Sequence, residues 1–415
     1  MANTIDPSHL RNFSALYLGS LLGSMPFTPN AWFVHLYLDG EYRGVYMLTD
    51  ERDASEGRGN LRIDIDPTIS EYMIEFDSRV RYGGTPVNTH WVQNRIGSFD
   101  IRYPSTGAWM NQQNNAHALY VEDFLTRVDG AIVSGDRTQI EAMIDIESFI
   151  DFYIVNELMA NVDANFSSMF YQIRGLGEQR RLYAGPLWDF DQSSGGAASP
   201  ANVAIRNLFD NPRTTGPVAT RNDWFRRLLN ESWFREEVRN RWLEVKDVEV
   251  AEMLNRIEYM AVTFEQDFQR DINRWPNHGN HTWNSQTVRN LDTAMENAEF
   301  LHWWLTERAD WLTEWLYDVY IIQNQGWVRE WNHWIFYRDD IRQTGWLWDA
   351  GSWFYLDSEG IMQTGWVHTG GSWFFMNNSG RMQTGWVYTG GSWFFMNNSG
   401  RMQTGWVHTG GSWFL

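Results

Sequence analysis

The sequence contains no cysteine, which excludes disulfides and thiolate metal sites and is common in proteins that Gram-positive bacteria export without disulfide bonds. Lysine is almost as scarce, Lys246 being the only one. Positive charge is in deficit overall: 33 Lys and Arg stand against 52 Asp and Glu, for a net charge of −19. With a pI near 4.9, a groove that tracks nucleic-acid phosphates has no electrostatic support, and nucleic acid is excluded as a partner. No apolar run approaches the roughly 20 residues that span a bilayer, so no transmembrane segment is expected. Residues 16–22 are apolar but short, lack a basic start and are interrupted by Gly-Ser, so they read as a packed helix and not as a signal-peptide core. His90, His117, His278 and His281 lack the His-Glu-x-x-His spacing of a zinc site.

What the chain has in abundance is tryptophan, 25 residues of it. From residue 342 a block recurs every 20 residues, at Gly345-Trp346, Gly365-Trp366, Gly385-Trp386 and Gly405-Trp406, each introduced by Gln-Thr. A second Trp follows seven residues later at Trp353, Trp373, Trp393 and Trp413, and Trp327 with Trp334 keeps that spacing in a degenerate first copy. Such a period marks a solenoid whose units cannot bury a core alone. Each unit reads as two short strands, for example 371–376 and 380–386, joined by an Asn-Asn-Ser-Gly turn. The chain stops inside a repeat and shows no export signal, so both ends are expected to be truncated.

Before the repeats the pattern is mixed. Residues 31–49 alternate apolar and polar around Asp39-Gly40, a hairpin signal, and 72–76 and 98–102 read as further strands. Asp145 is placed to cap an apolar-striped helix to about residue 161, with Glu147 in its first turn. A hairpin over 169–173 and 182–184 follows, and 224–316 carries long helical stripes. The order predicts an α+β domain over 1–320, with 221–320 mostly helical, followed by a β-hairpin solenoid over 326–415.

Three acidic segments stand out: Glu75-Phe76-Asp77, Asn161-Val162-Asp163-Ala164-Asn165 and Trp188-Asp189-Phe190-Asp191. A carboxylate at the end of a helix and two just after a hairpin can converge on one point, as Mg²⁺ and phosphoryl transfer require. Asp-x-Asp loops also bind Ca²⁺ or merely cap turns.

At these residues the sequence becomes specific. Tyr37-Leu38-Asp39-Gly40-Glu41-Tyr42-Arg43-Gly44-Val45-Tyr46-Met47-Leu48-Thr49, Asp6-Pro7-Ser8 with Arg11-Asn12, Asn156-Glu157-Leu158, Asn161-Val162-Asp163 and Gly185-Pro186-Leu187-Trp188-Asp189-Phe190-Asp191 together resemble the landmarks of CotH kinases, in order, over roughly residues 4–245. The resemblance implies a distant protein-kinase-like fold that transfers phosphate from ATP, with Mg²⁺, to Ser or Thr of surface proteins. It makes Asp163 the catalytic carboxylate, Asp189 the metal ligand with Asp191 beside it, and Asn165 or Ser168 the second metal ligand. The lysine that grips phosphate in ordinary kinases has no local counterpart, and no Gly-x-Gly-x-x-Gly loop appears upstream. Arg11 is the expected replacement, with Glu51 as its ion-pair partner. The Ser193-Ser194-Gly195-Gly196 run is expected to be a flexible loop.

The repeats resemble the choline-binding repeats of Gram-positive surface proteins. That resemblance implies aromatic cages between adjacent hairpins, built from Trp346, Trp353, Trp366, Trp373, Trp386 and Trp393, which hold a quaternary ammonium by ring faces. The expected partner is a choline-substituted wall polymer, or a glucan, and the expected location is extracellular at the cell wall. The alternatives kept open are a catalytically inactive adhesin or wall-organising scaffold, nucleotidylation in place of phosphorylation, and Trp residues that only fill the solenoid core.

Overall fold

The computed structural model describes residues 3, 5–55, 57–77, 91–104, 116–164, 167–198, 211–213, 222–275, 287–321, 326–330, 333–338, 341–358 and 360–414. They fall into two compact units, Met1–Leu316 and Tyr317–Leu415.

In the first unit, α1 (Arg11–Leu22) precedes a hairpin of β1 (Ala31–Leu38) and β2 (Glu41–Thr49). Asp39 and Gly40 take φ of 50° and 81° at its turn, the left-handed pair that matches strand twist. β3 (Tyr72–Phe76), β4 (Trp91–Gln93), β5 (Ser98–Tyr103), β6 (Met169–Arg174) and β7 (Arg181–Ala184) form one antiparallel sheet in the order β4-β5-β3-β6-β7. β3 is central and wholly buried.

Between β5 and β6 lie α2 (Ala116–Ser134), α3 (Arg137–Met143) and α4 (Ile146–Leu158). Asp145 caps α4 as expected, its side chain accepting the Ser148 N–H at 2.9 Å. Every residue of α4 from Ser148 to Leu158 is buried, the mark of a helix enclosed on all sides. Phe149 and Phe152 touch Tyr171 of β6 on one side and Phe225 on the other. Each such ring contributes roughly 1.5–3 kcal/mol through burial.

β8 (Ala197–Ala198) pairs with β9 (Thr287–Val288). The helical part comprises α5 (Asp223–Leu228), α6 (Ser232–Val245), α7 (Ala251–Thr263), α8 (Glu265–Arg274) and α9 (Ala294–Ile321). Arg308 of α9 and Glu157 of α4 form an ion pair of 2.7 Å with both side chains fully buried.

The second unit is a row of hairpins, but the paired strands differ from those expected. Gly365–Thr369 pairs with Ser372–Met376, and Gly385–Thr389 with Ser392–Met396. The hairpin turn is therefore Gly-Gly, with Gly370 and Gly371 at φ 55° and 72°, a geometry that L residues resist. Asn-Asn-Ser-Gly links one hairpin to the next. There the Asn377 Oδ1 accepts the Ser379 and Arg381 amides, and the strand-like pairing is confined to a Met376–Met382 bridge. A Cβ on Gly380 would collide with Met362 of the preceding repeat, and the Met382 amide donates to Trp353 O at 2.8 Å. Phe354, Leu356, Phe374, Met376 and Met396 are buried within the row.

Candidate functional site

Two turns present the acidic side chains. Beyond α4, Asn161 Nδ2 donates to Asn156 Oδ1 at 3.0 Å, and Asn161 Oδ1 accepts the Asp163 amide at 3.1 Å. These asparagines shape the loop that carries Asp163. Beyond β7, the Phe190 amide donates to Asn12 Oδ1 at 2.7 Å, so α1 anchors the segment holding Asp189 and Asp191. Ser168 Oγ donates to Asp189 Oδ2 at 3.0 Å. The Asp191 carboxyl is pushed up to about 8, first by burial and then by Asp189, Asp6 and Asp163, as expected where like charges crowd one point. Ala160, Ser168, Asp189 and Ser194 all take left-handed φ, at 45°, 58°, 68° and 49°. Such backbone cost in non-glycine residues gathers where a fold holds chemistry in place.

Asp163, Ser168, Asp189 and Asp191 thus lie in one region, while Asn165 is outside the described residues. Arg11 does not pair with Glu51. Its Nη1 lies 2.5 Å from Asp6 Oδ1, Nε donates to Ser193 O at 3.0 Å and Nη2 to Ser194 O at 3.4 Å. It is buried, whereas Glu51 is exposed. The residue that occupies a matched motif is therefore a strut, because a buried guanidinium needs these oxygens to offset its desolvation. For the same reason 193–196 is not a loose loop: Ser193 and Ser194 are buried, and the Ser194 amide donates to Met159 O at 2.8 Å.

A cation within electrostatic reach of Asp189 is Arg52, a residue the sequence motifs do not single out. Its guanidinium lies 3.9 Å above the Trp188 ring and 4.6 Å above Phe170. Burial lowers its pKa, against the pull of Glu75, Asp189 and Glu51. Glu75 pairs with Arg102, and burial raises its carboxyl despite that partner. The signal that could have found Arg52 is its place three residues beyond the hallmark hairpin.

The resemblance implies ATP and Mg²⁺. Among the described residues, no group of three or more His, Cys, Asp or Glu is gathered to hold a metal. The donor chemistry nevertheless fits a cation shared with a nucleotide, since Mg²⁺ keeps several waters and uses one or two carboxylates plus substrate phosphates. Asp189, Asp191 and Ser168 are oxygen donors of that kind, and a divalent charge relieves the repulsion acting on Asp191. Two cavities of about 520 and 790 Å³ are lined by other residues, such as Phe300 with Trp303 and Asp151 with Arg241, away from these carboxylates.

In the second unit two leading Trp residues stand edge-on to rings of their own and the next repeat. Trp366 meets Trp373 at 6.1 Å, Phe375 at 5.2 Å and Phe394 at 4.9 Å. Trp346 repeats this with Trp353, Tyr355 and Phe374. Trp346, Trp353, Trp373, Trp386 and Trp393 are exposed, so they line the surface and do not fill the core. Residues 360–415 contain Arg381 and Arg401 but no Asp or Glu.

The profile of the CotH kinase protein family matches residues 1–312. The cell wall binding repeat of the choline-binding class matches 344–362, 364–382 and 384–402. Among solved structures, choline binding protein F of Streptococcus pneumoniae with a peptidoglycan analogue is 36% identical over 21% of this chain and 31% of its own, with a TM-score of 0.21. CbpJ of Streptococcus pneumoniae TIGR4 is 38% identical over 21% of this chain and 32% of its own, with a TM-score of 0.21. The Cpl-1 endolysin in complex with a peptidoglycan analogue is 34% identical over 20% and 26%, with a TM-score of 0.20. The chain thus spans about a third or less of the length of these proteins. No curated protein matches it. Since the first profile takes in 312 of the 415 residues, the chain belongs to the CotH kinase protein family and carries choline-binding-type cell wall repeats behind that domain.

Proposed function

We propose that this protein is a Mg-dependent phosphotransferase that moves phosphate from ATP to Ser or Thr of surface proteins, held outside the cell at its wall by the aromatic repeats. The two family matches point to a cell-wall-associated protein. What supports the catalytic reading is that Asp163 and Asp189 lie near enough to Asp191 to push its carboxyl up, with Ser168 donating to Asp189 and Arg52 within electrostatic reach of Asp189.

In this reading Asp163 accepts the proton of the acceptor hydroxyl, whose oxygen attacks the γ-phosphorus as the bond to the β–γ bridging oxygen breaks and ADP leaves. Bound Mg²⁺ supplies charge neutralisation on the phosphates. Asp189, oriented by Ser168, and Asp191 would hold the cation. Arg52 takes the part that lysine plays in ordinary kinases, the Trp188 and Phe170 rings fixing its flexible side chain before substrate arrives.

Separate incubations with γ-labelled and α-labelled ATP test this. Transfer of the γ label to Ser or Thr is expected. Transfer of the α label means nucleotidylation, and transfer of neither favours the inactive scaffold, which the missing lysine supports. Arg52→Met is expected to raise the KM for ATP roughly tenfold or more, since a charge-assisted contact contributes about 1.5–3 kcal/mol. An unchanged KM removes Arg52 from the site.

For the tail, the edge-on contacts of Trp366 with Phe394 support cages shared by neighbouring hairpins that take choline on a wall polymer. The acid-free stretch after residue 360 suits a polymer that also carries phosphate. The chain is expected to bind a choline-like resin and to elute with free choline. Trp366→Ala should weaken more than one site by calorimetry. Retention on glucan alone, or loss of a single site, counts against this reading.

A further inference from the structure

Two segments that flank the candidate site share one partner far along the chain. Asp271, on α8, is buried. Its Oδ1 accepts the Val45 amide of β2 at 2.8 Å, and its Oδ2 lies 2.9 Å from His9 Nε2. His9 is itself fully buried, with Nδ1 3.2 Å from Pro7 O. Its ring stacks on Phe268, also on α8, at 4.6 Å and 8°. Gly44 of the hallmark hairpin has its reason here: φ is +117°, and a Cβ would collide with Asp271 Oδ1. Trp275 Nε1 adds a bond to Arg43 O at 3.0 Å.

Both branches lead to the carboxylates. Beyond its last residue, Thr49, β2 runs through Asp50 and Glu51 into Arg52, which lies on Trp188. On the other side, the His9 amide donates to Asp6 O at 3.0 Å. Asp6 holds Arg11, and Arg11 holds the carbonyls of Ser193 and Ser194, two and three residues beyond Asp191. One carboxylate thus ties the strand that delivers the cation to the loop that carries the acids.

We propose that Asp271 is a positioning residue which, through Val45 and His9, sets the placement of Arg52 relative to the Asp189–Asp191 loop. Its effect on catalysis rests on the phosphotransfer reading above; its effect on the two segments does not.

The test is deuterium uptake of the intact chain, read in peptides spanning 43–52 and 190–196. Asp271→Ala removes both acceptors and is expected to speed exchange in both peptides by roughly ten- to a hundredfold, as loss of a charge-assisted hydrogen bond allows. The KM for ATP should rise with little change in kcat. Asp271→Asn keeps an oxygen for Val45 and an amide for His9, and should restore near-parental exchange and KM. His9→Gln should loosen 190–196 while 43–52 stays protected. Parental exchange in both peptides of Asp271→Ala overturns the proposal. If that variant does not fold, equal loosening of both peptides by His9→Gln, or a failed rescue by Asp271→Asn, overturns it instead. Should the parent transfer no phosphate, the exchange data still decide the positioning role, so the two failures are told apart.

Discussion

Asp189→Asn is expected to abolish both Mg-dependent ATP binding and phosphate transfer, whereas Asp163→Asn should keep binding and lose transfer by several orders of magnitude. The difference follows from position. Asp189 shares its carboxylate with Ser168 and acts on both Arg52 and Asp191, so in the proposed reaction its charge would serve the cation and the nucleotide. Asp163 leaves the end of α4 on a loop shaped by Asn156 and Asn161, where in the proposed reaction it would serve the acceptor hydroxyl. Positioning and charge stabilisation supply nearly all of such catalysis. Neither substitution should unfold the chain, because each removes a carboxylate from a group whose members repel. Calorimetric titration with Mg-ATP, γ-label transfer and melting without metal check the three statements. Parental transfer by both variants would falsify the site, and a sharp melting loss without metal would make these residues structural.

Arg308→Met is expected to destabilise the first unit by roughly 3–5 kcal/mol, because it strips a buried carboxylate of its cation. Arg308 Nη2 donates to Glu157 Oε1 at 2.7 Å, Nη1 to Pro212 O at 2.8 Å, and the guanidinium lies 3.7 Å above Trp311. At about 2–4 °C per kcal/mol for a large domain, the melting temperature should fall by roughly 10 °C. Adding Glu157→Gln should recover a good part of the loss, since the stranded charge is then gone. A single variant that melts with the parent would show that Glu157 does not depend on this pair. The pair also gives the Asn156-Glu157-Leu158 landmark a role: it fastens the end of α4, from which Asp163 departs, to α9.

The local features were legible in the sequence because their causes are local. Asp39-Gly40 dictates its own turn, Asp145 its own cap, and the 20-residue period its own row of hairpins. The helix end and the hairpin end that carry the acidic segments were legible as well, since each is short-range information. In the repeats the local reading went astray. Gly-Gly and Asn-Asn-Ser-Gly are both turn signals, and only the left-handed pair at Gly370-Gly371 matches the twist of two paired strands.

Partner choice among charges is the part that only tertiary structure decided. Sequence alone determined that the chain is acidic, free of cysteine, short of lysine, mixed in secondary structure at the front and periodic in tryptophan at the back. It did not determine that Arg11 would serve Asp6 and two carbonyls, that Arg52 would lie on Trp188, or that Asp271 would close on Gly44 and His9. An arginine can reach any of several carboxylates, and which one it takes depends on burial. Desolvation makes an unpaired charge too costly to leave inside, so packing selects the partner, and packing is a property of the whole fold.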